Sequence, residues 1–279
     1  MTRTDPPTGP QDQDRDGGPG AFDDLPAGLA GLAADAPATL LDRIAARRVH
    51  VPGPLTGPDE DDALSDLQVA YTDQGVAFVR AGLDEREFAA AFRERFARPL
   101  LPSDRLPAGL LPALRNGRLG GLRLDLRGLS PFEAAVLRAT ATIPRGQTRP
   151  YAWVARQAGN PKAVRAAGSA LGRNPVPLLI PCHRVTRSDG TPGQYVFGAP
   201  AKERLLRAEN VDLDGVADLA RQGVFFIGSD TTGIVCYPTC VDARRITPAH
   251  RHGFRTVAAA EAAGYRPCEH CRPALPQSA

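Results

Sequence analysis

The sequence predicts an α+β protein of three consecutive modules: a small N-terminal α/β domain, a helical domain containing a helix-turn-helix, and a small C-terminal metal-binding domain. Three observations carry this. Strand-like alternation gives way to an amphipathic helix between residues 67 and 97. A series of capped helices with a tight glycine turn starts near Leu129, and two close pairs of cysteines follow Val224.

Residues 1–38 are rich in Pro, Gly and Asp and poor in large apolar residues, so they read as a disordered tail. The first domain is expected over 39–128. In it "LQVAYTDQGVAFVRA" reads as two strands joined by a turn at Asp73 to Gly75. In "LDEREFAAAFRERFA", Asp84 as N-cap and Glu87 three residues on form a capping box, and Phe88, Phe92 and Phe96 line one helical face as core.

The second domain is expected over 129–212. "LSPFEAAVLRATATI" opens it with Ser130 as N-cap, Pro131 at the first helical position and Glu133 closing a capping box. "YAWVARQAG" and "KAVRAAGSALG", the latter started by Asn160 and Pro161, make two short helices around a glycine turn. In the second of these, Ala163, Ala166, Ala167, Gly168 and Ala170 read as a nearly bare outward surface from which Arg165 projects. That surface suits close approach to a groove, or equally tight packing on a neighbouring helix. "APAKERLLRAEN" reads as a helix with Leu205, Leu206 and Glu209 on one face, so that Glu209 needs a partner such as His183. Residues 213–223 read as an acidic linker, and 224–279 as the third domain.

The net charge of +3 hides an uneven distribution. Residues 1–130 hold 15 Arg against 20 Asp and Glu, whereas residues 131–210 hold 12 Arg and Lys against 4 Asp and Glu. A block of +8 in eighty residues suits a polyanion such as nucleic acid, or is a solvated basic face. No run of 18 apolar residues and no apolar signal core occur, so a cytoplasmic protein without membrane contact is expected. The five cysteines, odd in number, argue for thiol or metal chemistry over a disulfide framework.

Cys182 stands apart from the other four in "NPVPLLIPCHRV". A thiol is mostly protonated at neutral pH, so a nucleophilic role requires a base in reach. His183 beside it, oriented by Glu209, supplies the logic of a Cys-His-acid triad, with a packed core thiol as the competing reading.

This stretch, with the following "GTPGQY" and "KERLLRAE", resembles the active-site region of the O6-alkylguanine-DNA alkyltransferases, continuously from about Leu129 to Glu209. The resemblance implies an N-terminal ribonuclease H-like domain and a winged-helix-like alkyltransferase domain. The implied reaction is irreversible, single-turnover transfer of the alkyl group of O6-alkylguanine in damaged duplex DNA to Cys182. It also implies His183 as water-mediated base, Glu209 as its orienting acid and Asn174 as the hinge between recognition helix and active-site loop. Tyr151 would crowd the phosphate of the flipped nucleotide and donate to its base. Arg165 would be the finger that fills the vacated stack, with Ala163, Ala166 and Gly168 at the DNA. No organic cofactor and a monomer are expected. Val196 stands where many relatives have a serine whose hydroxyl can bond O6, so backbone N–H groups would have to stabilise the leaving group. Phe197 stands where relatives that admit bulky alkyl groups have a small residue, so methyl is expected to be preferred over benzyl.

"CYPTC" and "CEHC" give C-x3-C, 27 residues, then C-x2-C. Cys236, Cys240, Cys268 and Cys271 therefore suit tetrahedral zinc, with His250, His252 and His270 left at the surface or on phosphate. The segment from Val224 to Pro273 is similar to the zinc-binding domain of the Ada protein. That similarity implies that Cys236 accepts a methyl group from a DNA methylphosphotriester; zinc as a structural staple is the alternative. Tyr237 stands where those relatives usually carry arginine, leaving Arg244, Arg245, Arg251 and Arg255 to grip phosphate. Beside a repair protein, two other classes fit: a DNA alkylation-damage sensor without active repair chemistry, and a cysteine hydrolase.

Overall fold

The computed structural model describes residues 45–53 and 66–273. All of these fall within one compact unit, and the expected tail at 1–38 lies outside the described residues. The first layer is a four-stranded sheet of order β3-β2-β1-β4, made of β1 (Ala46–Val51), β2 (Leu67–Thr72), β3 (Gly75–Ala81) and β4 (Leu100–Pro102). β1, β2 and β3 run antiparallel and β4 joins β1 in parallel. The expected hairpin is β2–β3, whereas β1 and β4 were not anticipated. A three-residue strand offers too little alternation to read, and β1 carries Arg47, Arg48 and His50.

Helix α1 (Glu85–Phe96) has the expected capping box, with Asp84 accepting from the Glu87 N–H and Glu87 accepting from the Asp84 N–H. Phe88 and Phe92 are fully buried with Phe78 of β3, and Phe96 meets the same ring at 5.8 Å between centroids. The strand period of two turns Leu67 and Val69 to the other face, into the main core. β3 is an edge strand, and the segment that leads to Cys182 covers it: the Val79 N–H donates to Pro175 O at 2.9 Å. At the other end of β3, Gly75 has φ +137°, and a Cβ there would lie 2.2 Å from Arg123 O. Gly75→Ala is expected to destabilise the fold by more than about 1 kcal/mol, read as a lower denaturant midpoint.

Helix α2 (Leu110–Asn116) leads to the helical domain. α3 (Pro131–Ala141) carries the capping box read from Ser130 and Glu133. It packs against α4 (Tyr151–Gln157) and α5 (Val164–Gly172), the two helices of the expected helix-turn-helix. α5 starts later than expected, since Asn160 to Ala163 form a separate turn. Two of its residues assigned to the outward surface are core: Ala167 is fully buried and Ala170 nearly so, as their spacing of three places them together on the inner face. Arg165, Ala166 and Ser169 face outward.

After α5 the chain passes through a 3-10 turn (Cys182–Arg184) into the two-residue strand β6 (Val185–Thr186). β6 pairs in parallel with β5 (Arg149–Pro150). α6 (Ala199–Ala208) ends at Glu209. The segment expected as a linker is mostly helix, α7 (Leu213–Arg221), capped by Asp212 accepting from the Gly215 N–H. Its acidic composition resembled a linker, but acids at the start of a helix complement its dipole.

The last module is a four-stranded sheet of order β10-β8-β7-β9: β7 (Phe226–Ser229), β8 (Ile234–Cys236), β9 (Arg251–Phe254) and β10 (Arg266–Pro267), with helix α8 (Val257–Ala262). Its core is continuous with that of the helical domain through Tyr237 and the cysteines. No helix among the described residues is long and apolar enough to cross a membrane.

Candidate active site and metal centre

The loop from Asn174 to Cys182 is folded by its own polar groups. Asn174, fully buried, accepts the Val176 N–H on Oδ1 at 3.0 Å, the local turn an asparagine side chain closes two residues on. Its Nδ2 then donates to Ile180 O at 3.0 Å and to Cys182 Sγ at 3.2 Å. Pro175, Pro177 and Pro181 stiffen the loop, and Leu178 sits at φ +72°, a strained conformation held by the surrounding packing. The thiol is thus aimed by a hinge rather than left to rotate.

Cys182 lines a cavity of about 430 Å³ with Tyr151, Gly168, Gln194, Tyr195 and Val196. Burial pushes its thiol above the ordinary value, while the Asn174 hydrogen bond and the charges of Lys202 and Arg80 pull the other way. His183 follows in the same 3-10 turn. Its Nε2–H donates to Glu209 Oε1 at 3.1 Å, and its Nδ1 is buried without a protein hydrogen-bond partner. Burial lowers the imidazole pKa against the pull of Glu209, so the ring rests neutral.

Glu209 is the most heavily bonded side chain of the site. Besides His183 it accepts from Arg184 Nε at 2.9 Å and Arg184 Nη2 at 2.7 Å, and from the Gly146 N–H at 3.1 Å. Burial raises its pKa, but the hydrogen bonds from His183 and Arg184 outweigh that and hold it at about 2. Arg184 also donates to Ile143 O at 2.7 Å, tying the relay to the end of α3. Cys182, Asn174, His183 and Glu209 are therefore brought together, and Tyr151 joins them at the cavity. Arg165 stands on the exposed face of α5, outside that cavity, with Ala166 beside it and Ala163 and Gly168 half-buried.

In the last module, Cys236, Cys240, Cys268 and Cys271 are all buried, and their Sγ atoms lie within 4.8 Å of one another. A metal–sulfur length of about 2.3 Å in a tetrahedron puts sulfurs about 3.8 Å apart, so this donor set fits a zinc-sized cation.

Residues 131–211 match the family described as 6-O-methylguanine DNA methyltransferase, DNA binding domain, and residues 216–274 match the metal binding domain of Ada. The chain joins a methylguanine-methyltransferase DNA-binding domain to an Ada metal-binding domain. It is 49% identical over 92 residues to the methylated-DNA–protein-cysteine methyltransferase of Methanothermobacter thermautotrophicus, covering 33% of this chain and 51% of that one. It is 36% identical over 159 residues to the bifunctional transcriptional activator/DNA repair enzyme Ada of Escherichia coli, covering 53% of this chain and 44% of that one. The chain thus spans about half the length of these curated relatives. A crystal structure of Mycobacterium tuberculosis OGT in complex with DNA superposes with a TM-score of 0.45 at 27% identity, covering 61% of this chain and 98% of that one.

Within the Ada metal-binding domain the arginines divide in an unexpected way. Arg245 lines a cavity of about 390 Å³ beside Cys236, together with Thr231, Thr232, Thr247 and His250. Arg244 instead lies against Gly146 of the methyltransferase domain, Arg251 donates to Ile246 O, and Arg255 lines a cavity between the two domains. Tyr237 is buried, its ring 5.4 Å from that of Phe226, because it faces the other domain. His250 and His252 share Asp230, whereas His270 pairs with Asp242, and these two lie with Cys268 within 4.8 Å of one another, at the edge of the four-cysteine cluster.

Three residues of the site were missed in the sequence. Lys202 is fully buried, donates to Val185 O and Gln194 O, and burial lowers its pKa to about 8. It is one of two lysines in an arginine-dominated chain, which was the available signal. Arg184 is the main partner of Glu209. Tyr195, whose hydroxyl is buried without a partner, stacks edge-on against His183 at 6.0 Å. Phe197 packs behind Tyr195 at 5.4 Å and is not among the residues that line the cavity; Val196 is.

Proposed function

We propose that the protein repairs DNA directly, moving the alkyl group of O6-alkylguanine in duplex DNA irreversibly onto Cys182. The observation that carries this is a buried thiol, aimed by Asn174 into a cavity, in the same turn as a neutral histidine held by an ionised glutamate. The extruded guanine enters between Tyr151, Tyr195 and Val196, and the vacated stack is filled by Arg165 on α5. The thiol proton passes through a water to His183 Nδ1, the ring atom left free to accept because Nε2–H faces Glu209. The sulfur lone pair forms the S–CH3 bond as the C–O6 bond breaks. The electron pair leaves on guanine, to which the Tyr151 hydroxyl donates a hydrogen bond, and the proton held by His183 passes back through the water to guanine, so that the imidazole ends neutral. No described group in the site cleaves the thioether to restore the thiol, so one protein is consumed per lesion, the pattern of a methylated-DNA–protein-cysteine S-methyltransferase.

The N-terminal sheet, with three antiparallel strands, a helix and a fourth parallel strand, supports the ribonuclease H-like assignment, and α3–α5 with the β5–β6 pair support the winged-helix-like one. The four cysteines are proposed to hold zinc, which when bound keeps Cys236 a thiolate without a separate base. Arg245 and the threonines beside Cys236 suit a backbone phosphate, which supports methylphosphotriester repair at Cys236. The expected preference for methyl over benzyl adducts rests on Phe197, which packs behind Tyr195 and does not line the Cys182 cavity, so the geometry lends it no support.

Peptide mapping by mass spectrometry after incubation with methylated duplex tests the reading. One methyl on Cys182 is expected; none would leave a damage sensor, and turnover without label a hydrolase. Label on Cys236 separates phosphotriester repair from a purely structural metal. Arg165→Ala is expected to slow transfer from duplex about ten- to a hundredfold, the worth of a stacking interaction. Its transfer from the free O6-methylguanine base should stay unchanged, as single-turnover kinetics would show.

A further inference from the structure

Arg149 is 2% exposed and lies where the two domains meet, a position in which a charge needs an anion close by. None of the described carboxylates pairs with it. Nη2 donates to Gln147 Oε1 at 2.6 Å and Nη1 to Thr148 O at 2.7 Å, both neutral acceptors, and Nε has no partner. The guanidinium carbon stands 5.8 Å from the Trp153 ring centre and 5.6 Å from that of Tyr237. Both rings lead straight to the four-cysteine cluster. Trp153 Nε1–H donates to Cys271 O at 2.9 Å, and the Tyr237 N–H points at Cys271 Sγ at 3.4 Å. Between the metal-ligating cysteines of CYPTC, Thr239 Oγ1 accepts the Thr148 N–H at 2.9 Å.

A divalent cation held by four thiolates carries two net negative charges. We propose that the metal-loaded cluster is the counter-ion of Arg149, and that through Arg149, Trp153 and Thr239 it positions the alkyl-acceptor site of the neighbouring domain. The route is short. Arg149 and Pro150 form β5, whose ladder partner Val185–Thr186 begins directly after the Cys182–Arg184 turn. Pro150 is followed by Tyr151, and Trp153 stands two residues further along the same helix. Loss of the ion removes the charge that holds Arg149, so β5 and the start of α4 loosen, and with them the wall and floor of the Cys182 cavity. Arg149, Trp153 and Thr239 are positioning residues that touch no substrate. The transfer part of this proposal rests on the reading of Cys182 as alkyl acceptor; the metal part does not.

The test uses the full-length, zinc-loaded protein. Competition against a chromophoric chelator should show that Arg149→Met lowers zinc affinity about 10- to 100-fold, the usual effect of removing an outer partner of a metal site. Arg149→Lys, which keeps the charge, should recover most of it. Equal zinc affinity in the wild-type and Arg149→Met proteins would overturn the counter-ion assignment. If Arg149→Met does not fold, Trp153→Phe, which removes the indole N–H to Cys271 O along with part of the ring, should still weaken zinc binding. Hydrogen exchange supplies the second readout: residues 148–155 should lose protection when zinc is stripped from the wild-type protein, and unchanged protection would refute the positioning role. In single-turnover transfer, the stripped protein should react more slowly at saturating DNA with an unchanged DNA dissociation constant. If the loaded wild-type protein transfers no methyl at all, the alkyl-acceptor reading fails, while zinc affinity and exchange still decide the role of Arg149.

Discussion

Cys182→Ser protein, incubated with duplex DNA containing O6-methylguanine, should take up no methyl group at residue 182 and should lose transfer by at least about 10^4-fold, the scale on which removal of a nucleophile acts. The substitution is nearly isosteric, and Asn174 Nδ2 can still donate to an oxygen at that position, so fold and DNA affinity should persist. What is lost is the ionisable, polarisable atom: a serine hydroxyl in a buried site has no accessible anion, and a neutral His183 is too weak a base to make one. In the wild-type protein the rate should be flat from neutral pH down past 6.5, because burial holds the His183 pKa below that value, and should fall only in more acid solution. Full repair by Cys182→Ser would end the proposal, and a rate that already halves near pH 7 would contradict the buried, neutral His183.

Folding stability should decline in two stages as the solution is acidified. His183 has a folded pKa below its ordinary 6.5, so its contribution is complete above that pH and is lost as pH falls through the folded value. Glu209 follows the same sign: with a folded pKa of about 2 against 4.5, it contributes fully above pH 4.5 and loses that contribution between there and about pH 2. The difference corresponds to about 3 kcal/mol. Glu209→Gln should abolish the lower stage. It should also destabilise the protein by about 3–5 kcal/mol at neutral pH, because Arg184, 2% exposed, is left as a buried cation without its anion. Transfer should slow about a hundredfold as His183 loses its orienting acid. Adding Arg184→Met should restore part of the stability and none of the rate, since it removes the stranded charge and not the defect in the relay. Denaturant midpoints across pH and single-turnover rates check both halves.

The capping boxes at Asp84 and Ser130 and the buried Phe88 and Phe92 were legible because each depends on residues three or four apart in the chain. The helix-turn-helix was legible for the same reason, although its second helix was turned too far outward: Ala167 and Ala170 look alike to Ala166 in composition, and only packing distinguishes the inner face. Strands β4, β5 and β6 were illegible because two or three residues carry no period. The helix α7 was taken for a linker because its helix-starting acids resemble a solvated tether. In the catalytic site, Cys182, His183, Asn174 and Glu209 were readable from a local signature, whereas Arg184, Lys202 and Tyr195 acquire their meaning from groups they meet across the fold.

By itself the amino-acid order determined which atoms are available for chemistry: one thiol next to one imidazole, four thiols in two close pairs, and a basic block between them. These are short-range facts, set by covalent spacing. Tertiary structure alone decided how they face one another. It turned neighbours Cys182 and His183 through a 3-10 turn, and joined Glu209 to Arg184 across 25 residues. It also docked the Ada metal-binding domain on Trp153, 118 residues from its partner Cys271. Such contacts depend on which apolar faces exclude water together, and no local pattern in the chain records that choice.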